Sequence, residues 1–256
     1  MLLRLDAVEK RFGGYDAIAG VSFAIAPGSI HSLIGPNGAG KTTLLNVISG
    51  VLPPTGGRLW FRDEDYTGKR ADQILRMGIA RNFQHVRLFR TMSVLENVLV
   101  GRHARIRGGF LAAIFTPPFR STASERAARE RAAELLAFVE LGHRLKAPVG
   151  DLTLVEQRRV EIARALASDP TLLLLDEPAA GMNPAEVEEL TQLIRRIHGA
   201  GATVLLVEHH MRLVMAISHT VTVLKTGRLL AQGTPDEVRN HPDVISAYLG
   251  NEGWAF

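Results

Sequence analysis

Residues 35–42 read GPNGAGKT and residues 172–178 read LLLLDEP. The first string fits G-x-x-x-x-G-K-[ST], with an apolar strand-like run, IHSLI, before it and a helix-like run after it. The chemistry this pattern supports is polyphosphate binding. Glycines let successive backbone N–H groups curl around an anion, and a helix start adds its positive end. Lys41 supplies an ammonium for the outer phosphates and Thr42 a hydroxyl for Mg2+. In the second string Asp176 closes a hydrophobic strand, where parallel sheets place ligand groups, and suits a direct or water-mediated Mg2+ contact. Glu177 beside it suits a base that activates water. An acidic pair after a strand is by itself an ordinary helix cap; the phosphate loop upstream gives it chemical meaning.

Residues 151–167 read DLTLVEQRRVEIARALA. Thr153 and Glu156 form a capping box, and Val160, Ala163, Leu166 and Ala167 recur at helical spacing. Such a helix start is either purely architectural or receives something negatively charged. His209-His210 is the single adjacent pair among nine histidines. Neighbouring side chains diverge on a strand, which argues against a shared metal. Gln84 in NFQHVRLF is, taken alone, a loop amide.

Positioning these groups requires a parallel sheet. Strand-like stretches LLRLDAV, GVSFAI, IHSLI and GRLWF precede residue 62, and a helix is expected from about Thr42 to Gly50, with Pro53-Pro54 beyond. Ser93 and Glu96 cap VLENVLVG; Thr122 and Glu125 open a helix whose stripe is Ala128, Ala132, Leu135, Leu136 and Val139. Between them lies the apolar, Gly- and Pro-punctuated insertion GGFLAAIFTPPFRS, read as subdomain core rather than a partner surface. After residue 170, TLLLL, TVLLV, HTVTVL and RLLAQG alternate with helices, one capped by Asn183, Pro184 and Glu186 and a last one by Thr234 and Glu237. Continuous apolar strands between amphipathic helices indicate an α/β fold with a sheet covered on both faces.

The composition fits a soluble globular chain: 256 residues, 46% hydrophobic, 22% charged. Without cysteine it has neither disulfides nor thiolate metal sites, and it contains no run of apolar residues long enough to span a membrane. Asp6 and Glu9 stand where a signal peptide would have its apolar core, so a cytosolic location is expected. The net charge is +4, and residues 101–146 hold nine basic against four acidic side chains. That excess would face nucleic acid, a membrane surface, an acidic partner or only solvent.

Taken together these strings resemble the ATP-binding cassette family, the motor subunits of ABC transporters, over nearly the whole chain. GPNGAGKTT is similar to its Walker A, which implies nucleotide contacts from Gly35, Pro36, Asn37, Gly38, Ala39, Gly40, Lys41, Thr42 and Thr43. LLLLDEP is similar to its Walker B, with Asp176 at the metal and Glu177 catalytic. Gln84 corresponds to the Q-loop glutamine, contacting the metal, and His209 in LLVEHH to the switch histidine. Phe12 in KRFGGYDAI falls where the family places an aromatic against adenine, with Tyr15 the runner-up. NFQHVRLF, EPAAGMNPAE, VEHHMRLVM and GTPDEVRNHPDVISAYLG narrow the resemblance to importer ATPases for branched-chain amino acids.

The resemblance implies a P-loop NTPase (RecA-like) core with an antiparallel β subdomain and an inserted helical subdomain. The expected limits are 1–90 and 157–235 for the core, 91–156 for the helical subdomain and 236–256 for a C-terminal helical extension. It implies ATP and Mg2+ as cofactors, a second ATPase subunit, two membrane permeases and, indirectly, an extracytoplasmic solute-binding protein, with no nucleic acid. It also implies a peripheral position on the cytoplasmic face of the cell membrane and a chain soluble when isolated. The competing readings are a soluble ABC ATPase acting on nucleic acid or ribosomes, which usually carries tandem cassettes or long coiled coils absent here, and a nucleotide-binding subunit that does not hydrolyse. The family's LSGGQ signature aligns with Leu152, Thr153, Leu154, Val155 and Glu156, which places Thr153 against the other subunit's nucleotide. Both signature glycines are missing, and Asn183 stands in place of the D-loop aspartate, as in the importer ATPases it resembles. Leu154 and Val155 lean into the space an incoming phosphate needs, because helical Cβ atoms tilt toward the N-terminus.

Overall fold

A computed structural model of the chain describes residues 1–82, 88–102 and 123–248. It divides into two compact units, one drawn from Met1–Gln84 and Thr171–Phe256, the other from His85–Pro170. In chain order the first unit begins with β1 (Leu3–Phe12), β2 (Tyr15–Ile25), β3 (Ile30–Ile34), α1 (Lys41–Ile48), β4 (Gly56–Phe61), β5 (Glu64–Asp65), α2 (Ala71–Met77) and β6 (Ile79–Arg81). The second unit holds α3 (Val94–Arg102), α4 (Ala123–Phe138) and α5 (Leu154–Leu166). The chain then returns with β7 (Leu172–Asp176), α6 (Pro184–Gly199), β8 (Thr203–Val207), α7 (Met211–Ile217), β9 (Thr220–Lys225), β10 (Arg228–Gly233), α8 (Pro235–Arg239) and α9 (Pro242–Tyr248).

The first unit is built on two sheets. One has the order β2-β1-β4-β5 and is antiparallel throughout. The other has the order β10-β9-β3-β8-β7-β6, parallel from β9 to β6, with β10 returning antiparallel on its edge. Every residue of β3, β7 and β8 is buried, as expected of strands covered on both faces. Each fully buried Leu, Ile or Val there contributes roughly 1.5–3 kcal/mol. Strand C-terminal ends therefore sit on a rigid base, and it is at those ends that the candidate chemical groups emerge.

In the second unit Val94, Val98, Ala128, Ala132, Leu135, Leu136, Val160, Ile162 and Ala163 are buried. Gly101 lets α3 meet α5, since a Cβ there would overlap the Arg164 carbonyl oxygen. The expected boundary at 156 differs from the division found. Helix α5 runs unbroken from Leu154 to Leu166 within the second unit, and a boundary at 156 would cut its hydrogen-bond ladder. A single last helix was expected after Thr234; the chain forms two. Pro242 has no N–H to continue α8 and disfavours a helical residue before it, so the chain breaks at Asn240-His241. The expected cap at Thr122 and the insertion at 108–121 lie outside the described residues.

Candidate functional site

The turn between β3 and α1 carries residues 35–40. Gly35 has φ +153°, and a Cβ on it would overlap the Leu224 carbonyl oxygen of β9. Gly40 has φ +99°, and a Cβ on it would stand 2.6 Å from the Ala17 carbonyl oxygen. Both positions therefore require glycine for space as well as conformation. Asn37 and Gly38 are exposed, Ala39 is buried, and Lys41, Thr42 and Thr43 form the first turn of α1. The first N–H groups of that helix have no partner within it and point out of its N-terminus.

Lys41 is buried at the base of this turn. Its Nζ donates to the carbonyl oxygens of Gly35 at 2.6 Å and Pro36 at 3.1 Å. Burial pulls its pKa down, while the nearby Glu177 and Asp176 carboxylates push it back up. A desolvated ammonium resting on neutral carbonyls beside a helix N-terminus is a setting that fits a polyphosphate.

Asp176 ends β7 with no exposed surface. Its Oδ2 accepts from Arg81 Nη2 at 2.7 Å, and its N–H donates to Asn82 Oδ1 at 2.8 Å. Oδ1 is buried and has no hydrogen-bond partner among the described residues. Burial raises the pKa of this carboxyl; the Arg81 hydrogen bond and charge oppose that, Glu177 adds to it and Lys41 counters it. A buried carboxylate with one engaged and one idle oxygen is a donor set that fits a hydrated Mg2+. Glu177 follows at φ +46°, a left-handed conformation that a non-glycine residue adopts at a cost of roughly 1 kcal/mol or more. Its N–H donates to the Val207 carbonyl at 2.8 Å, which pins the turn to the end of β8.

After β8 comes Glu208, fully buried. Its Oε1 accepts the Ala179 N–H at 2.8 Å, and its Oε2 accepts the N–H groups of His209 at 3.0 Å and His210 at 3.3 Å. One carboxylate thus ties the segment after Glu177 to the turn that carries His209. The His209 and His210 rings do not diverge as expected of a strand; their centroids lie 4.6 Å apart. The strand has ended at Val207, so its alternation no longer applies. Gly35, Pro36, Asn37, Glu177, His209 and Tyr248 line one cavity of about 940 Å³. Tyr248, at the end of α9, has its phenol pKa raised by burial, an effect the nearby Gly35 backbone opposes.

The remaining expected residues fall elsewhere. Phe12 is half exposed at the end of β1, paired across the hairpin with Tyr15 and with Lys10 Nζ 5.2 Å from its ring centroid. Gln84 lies outside the described residues. Thr153 belongs to the second unit, where it caps α5. Its Oγ1 accepts the Glu156 N–H at 3.2 Å, and its own N–H donates to Glu156 Oε2 at 2.9 Å. Arg144 Nε donates to Glu156 Oε1 at 3.2 Å. Partial burial pushes the Glu156 pKa up, but the Thr153 N–H, the Arg144 charge and the Thr153 hydroxyl outweigh it and hold it low. Leu154 is exposed.

Arg81, Asn82, Glu208 and Tyr248 were not singled out from sequence. For Arg81 and Asn82 no local pattern could have done so, since their partner Asp176 is some 95 positions away. An acidic residue directly after the buried run TVLLV was the available signal for Glu208.

Comparison with known proteins gives the family. The family model described as "ABC transporter" matches residues 18–180. The curated protein "High-affinity branched-chain amino acid transport ATP-binding protein LivG" of Escherichia coli (strain K12) is 47% identical over 251 residues, covering 97% of this chain and 98% of that one. The chain belongs to the ABC transporter family. A second model, "Branched-chain amino acid ATP-binding cassette transporter", matches residues 228–253 of this cassette, the stretch that includes α8 and α9. Among solved structures, an ATP-binding cassette of an ABC transporter in its ADP conformation superposes with a TM-score of 0.86 at 31% identity, covering 98% of this cassette and 99% of that chain. A dimeric cassette in a post-hydrolysis state bound to ADP and Pi gives a TM-score of 0.74 at 28% identity, covering 91% and 99%. No helix among the described residues of the cassette is long and apolar enough to cross a membrane.

Proposed function

We propose that this cassette binds MgATP at the turn before α1 and hydrolyses it to power an importer for branched-chain or related amino acids. The observation that carries the reading is the cavity that gathers Gly35, Pro36 and Asn37 with Glu177 and His209, with Lys41 and Asp176 directly behind. In this reading the N–H groups of residues 38–43 and the Lys41 ammonium hold the phosphates, and Phe12 offers a face to adenine. Thr42, Asp176 and Gln84 hold Mg2+, which supplies positive charge for the phosphate oxygens. Glu177 takes the proton of the water that attacks the γ-phosphorus as ADP leaves. His209, mounted on the turn that Glu208 fixes, contacts the γ-phosphate.

The cassette works as a peripheral subunit on the cytoplasmic face of the membrane, paired with a second cassette and seated on two permeases, with a solute-binding protein outside. The substrate class rests on the similarity to LivG and on the match over residues 228–253. The α5 start is the feature that separates the two nucleotide sites of such a pair. Glu156 places a carboxylate on the helix's own Thr153 N–H, and Leu154 and Val155 replace glycine. The site completed by this helix is therefore the weaker one, and the partner is a sibling cassette rather than a second copy.

The deciding experiment measures nucleotide affinity and phosphate release for the purified cassette, alone and with a sibling cassette and permeases. Release that requires Glu177 and responds to branched-chain amino acids with their binding protein supports the reading. Absence of MgATP binding by the folded cassette would sink it.

A further inference from the structure

Arg81 takes no part in the reading above, yet it makes the most constrained contacts around Asp176. The guanidinium is buried, with 5% of the side chain exposed against 0% for Asp176. Nη2 donates to Asp176 Oδ2 at 2.7 Å, while Nη1 donates to Asn46 Oδ1 at 2.7 Å and Ser49 Oγ at 3.0 Å. Asn46 lies on α1 and Ser49 closes it, so one planar group spans from the end of β7 to the helix that begins at Lys41. The next residue repeats the grip on the backbone: Asn82 accepts the Asp176 N–H, and its own N–H donates to the Leu174 carbonyl at 3.0 Å. Consecutive residues at the end of β6 therefore hold both the side chain and the peptide of Asp176.

This arrangement selects one oxygen. A buried carboxylate is costly unless it is paired, and Arg81 pairs it through Oδ2 alone. Oδ1 has no partner among the described residues. A guanidinium is suited to this work because its fork can bond a carboxylate on one side and two helix acceptors on the other, which the single ammonium of lysine cannot do in the same plane.

We propose that Arg81 is a positioning residue for Asp176: it ties Oδ2 to α1, fixes the carboxylate rotamer, and so presents Oδ1 to a hydrated divalent cation accompanying the nucleotide. The inference rests on the nucleotide-binding reading above. It adds that the register between β7 and α1, and not only the acid itself, sets how well the metal is received.

The test uses the full chain with Arg81→Met, which keeps the length of the stem, and Arg81→Lys. Fluorescent ADP is titrated with Mg2+ and, separately, with EDTA. In Arg81→Met the metal-free affinity should stay within about threefold of the parent, while the gain conferred by Mg2+ falls about tenfold to a hundredfold, the range for one lost charged hydrogen bond. Arg81→Lys should recover part of that gain. A folded Arg81→Met that keeps the full Mg2+ gain overturns the proposal, because a purely structural arginine would lower the melting temperature and leave the metal dependence alone. Thermal unfolding of Arg81→Met, Asp176→Asn and the double variant supplies an independent arm. The double variant should melt above Arg81→Met, since the stranded carboxylate is gone. A double variant no more stable than Arg81→Met overturns the pairing. If the parent shows no Mg2+-dependent nucleotide binding, the function reading fails and the stability arm alone decides whether Arg81 holds Asp176. Should Arg81→Met not fold, Arg81→Lys carries the titration: a Mg2+ gain below the parent's supports the proposal, and the full gain overturns it.

Discussion

Lys41 Nζ lies 2.6 Å from the carbonyl oxygen of Gly35, six residues before it, and 3.1 Å from that of Pro36. The ammonium thus closes the turn on itself. Its burial costs hydration that two neutral carbonyls only partly restore, so an anionic oxygen is a better partner than either. On the proposed nucleotide reading, Lys41→Ala would remove one charged contact to the phosphates, and a nucleotide affinity about 10- to 150-fold lower is expected. Titration with a fluorescent nucleotide measures it. An unchanged affinity would remove Lys41 from the site.

Glu177 makes a different prediction. It lines the cavity with its backbone pinned by Val207, so Glu177→Gln should leave the fold and the nucleotide affinity nearly intact. Loss of a general base typically costs roughly 10²–10⁴ in rate. Single-turnover phosphate release at saturating MgATP, in an assembly whose other site is disabled, reads that loss directly. Turnover within threefold of the parent would assign the proton to another group.

His31 carries a pH-dependent part of the stability. It is buried on β3, with its Nε2 2.8 Å from Thr222 Oγ1 and its ring stacked on Phe23 at 5.2 Å, and burial lowers its pKa from 6.5 to about 4. The unfolded chain therefore takes up this proton near pH 6.5, while the folded chain stays neutral until about pH 4. The contribution is complete above pH 6.5 and is lost as pH falls toward 4, at about 1.4 kcal/mol per pH unit. By pH 5 about 2 kcal/mol should be gone. Urea unfolding of the parent and His31→Gln at pH 7.5 and pH 5 isolates this term from the carboxylates common to both. Parallel losses in the two proteins would show that His31 is not responsible.

What could be seen in the sequence was whatever local demands dictate. The turn 35–40 lies between a strand and a helix because its glycines occupy conformations and spaces closed to other residues. The capping boxes Ser93/Glu96, Thr153/Glu156, Asn183/Glu186 and Thr234/Glu237 all form, since each is a reciprocal bond three residues long. The short pieces β5, α2 and β6 had no pattern long enough to register. Nor could the frame around the acids be seen: Arg81 and Asn82 reach Asp176, and Glu208 reaches Ala179, through pairings that exist only once β6, β7 and β8 lie side by side. Residue type can mark a chemical group, but what holds it at one angle is tertiary.

The start of α5 provides the last prediction. Its Thr153 N–H is already taken by Glu156 Oε2, whose partner oxygen is held by Arg144, so an anion of the chain's own occupies the positive end of the helix. The phosphate of an opposing nucleotide would meet that carboxylate and the side chains of Leu154 and Val155 where glycines would leave backbone N–H groups open. In a homodimer both sites are completed by this helix. In a mixed dimer with a sibling carrying intact glycines, one site should be sound, and it should use Lys41, Glu177 and His209 of this chain. Loss of one preorganised donor to transition-state charge costs roughly 10²–10³ in rate, which sets the scale of the expected difference. The cassette alone should therefore release phosphate slowly, and the sibling should accelerate it by about that factor, through Glu177 of this chain. Leu154→Gly/Val155→Gly combined with Glu156→Gln, which keeps a capping amide and removes the charge, should raise the homodimer rate. Phosphate release from the homodimer, the mixed dimer and the triple variant makes the comparison. A homodimer as fast as the mixed assembly, or a mixed assembly undiminished by Glu177→Gln in this chain, would show that the self-capped helix serves its opposing nucleotide as well as a glycine-lined one.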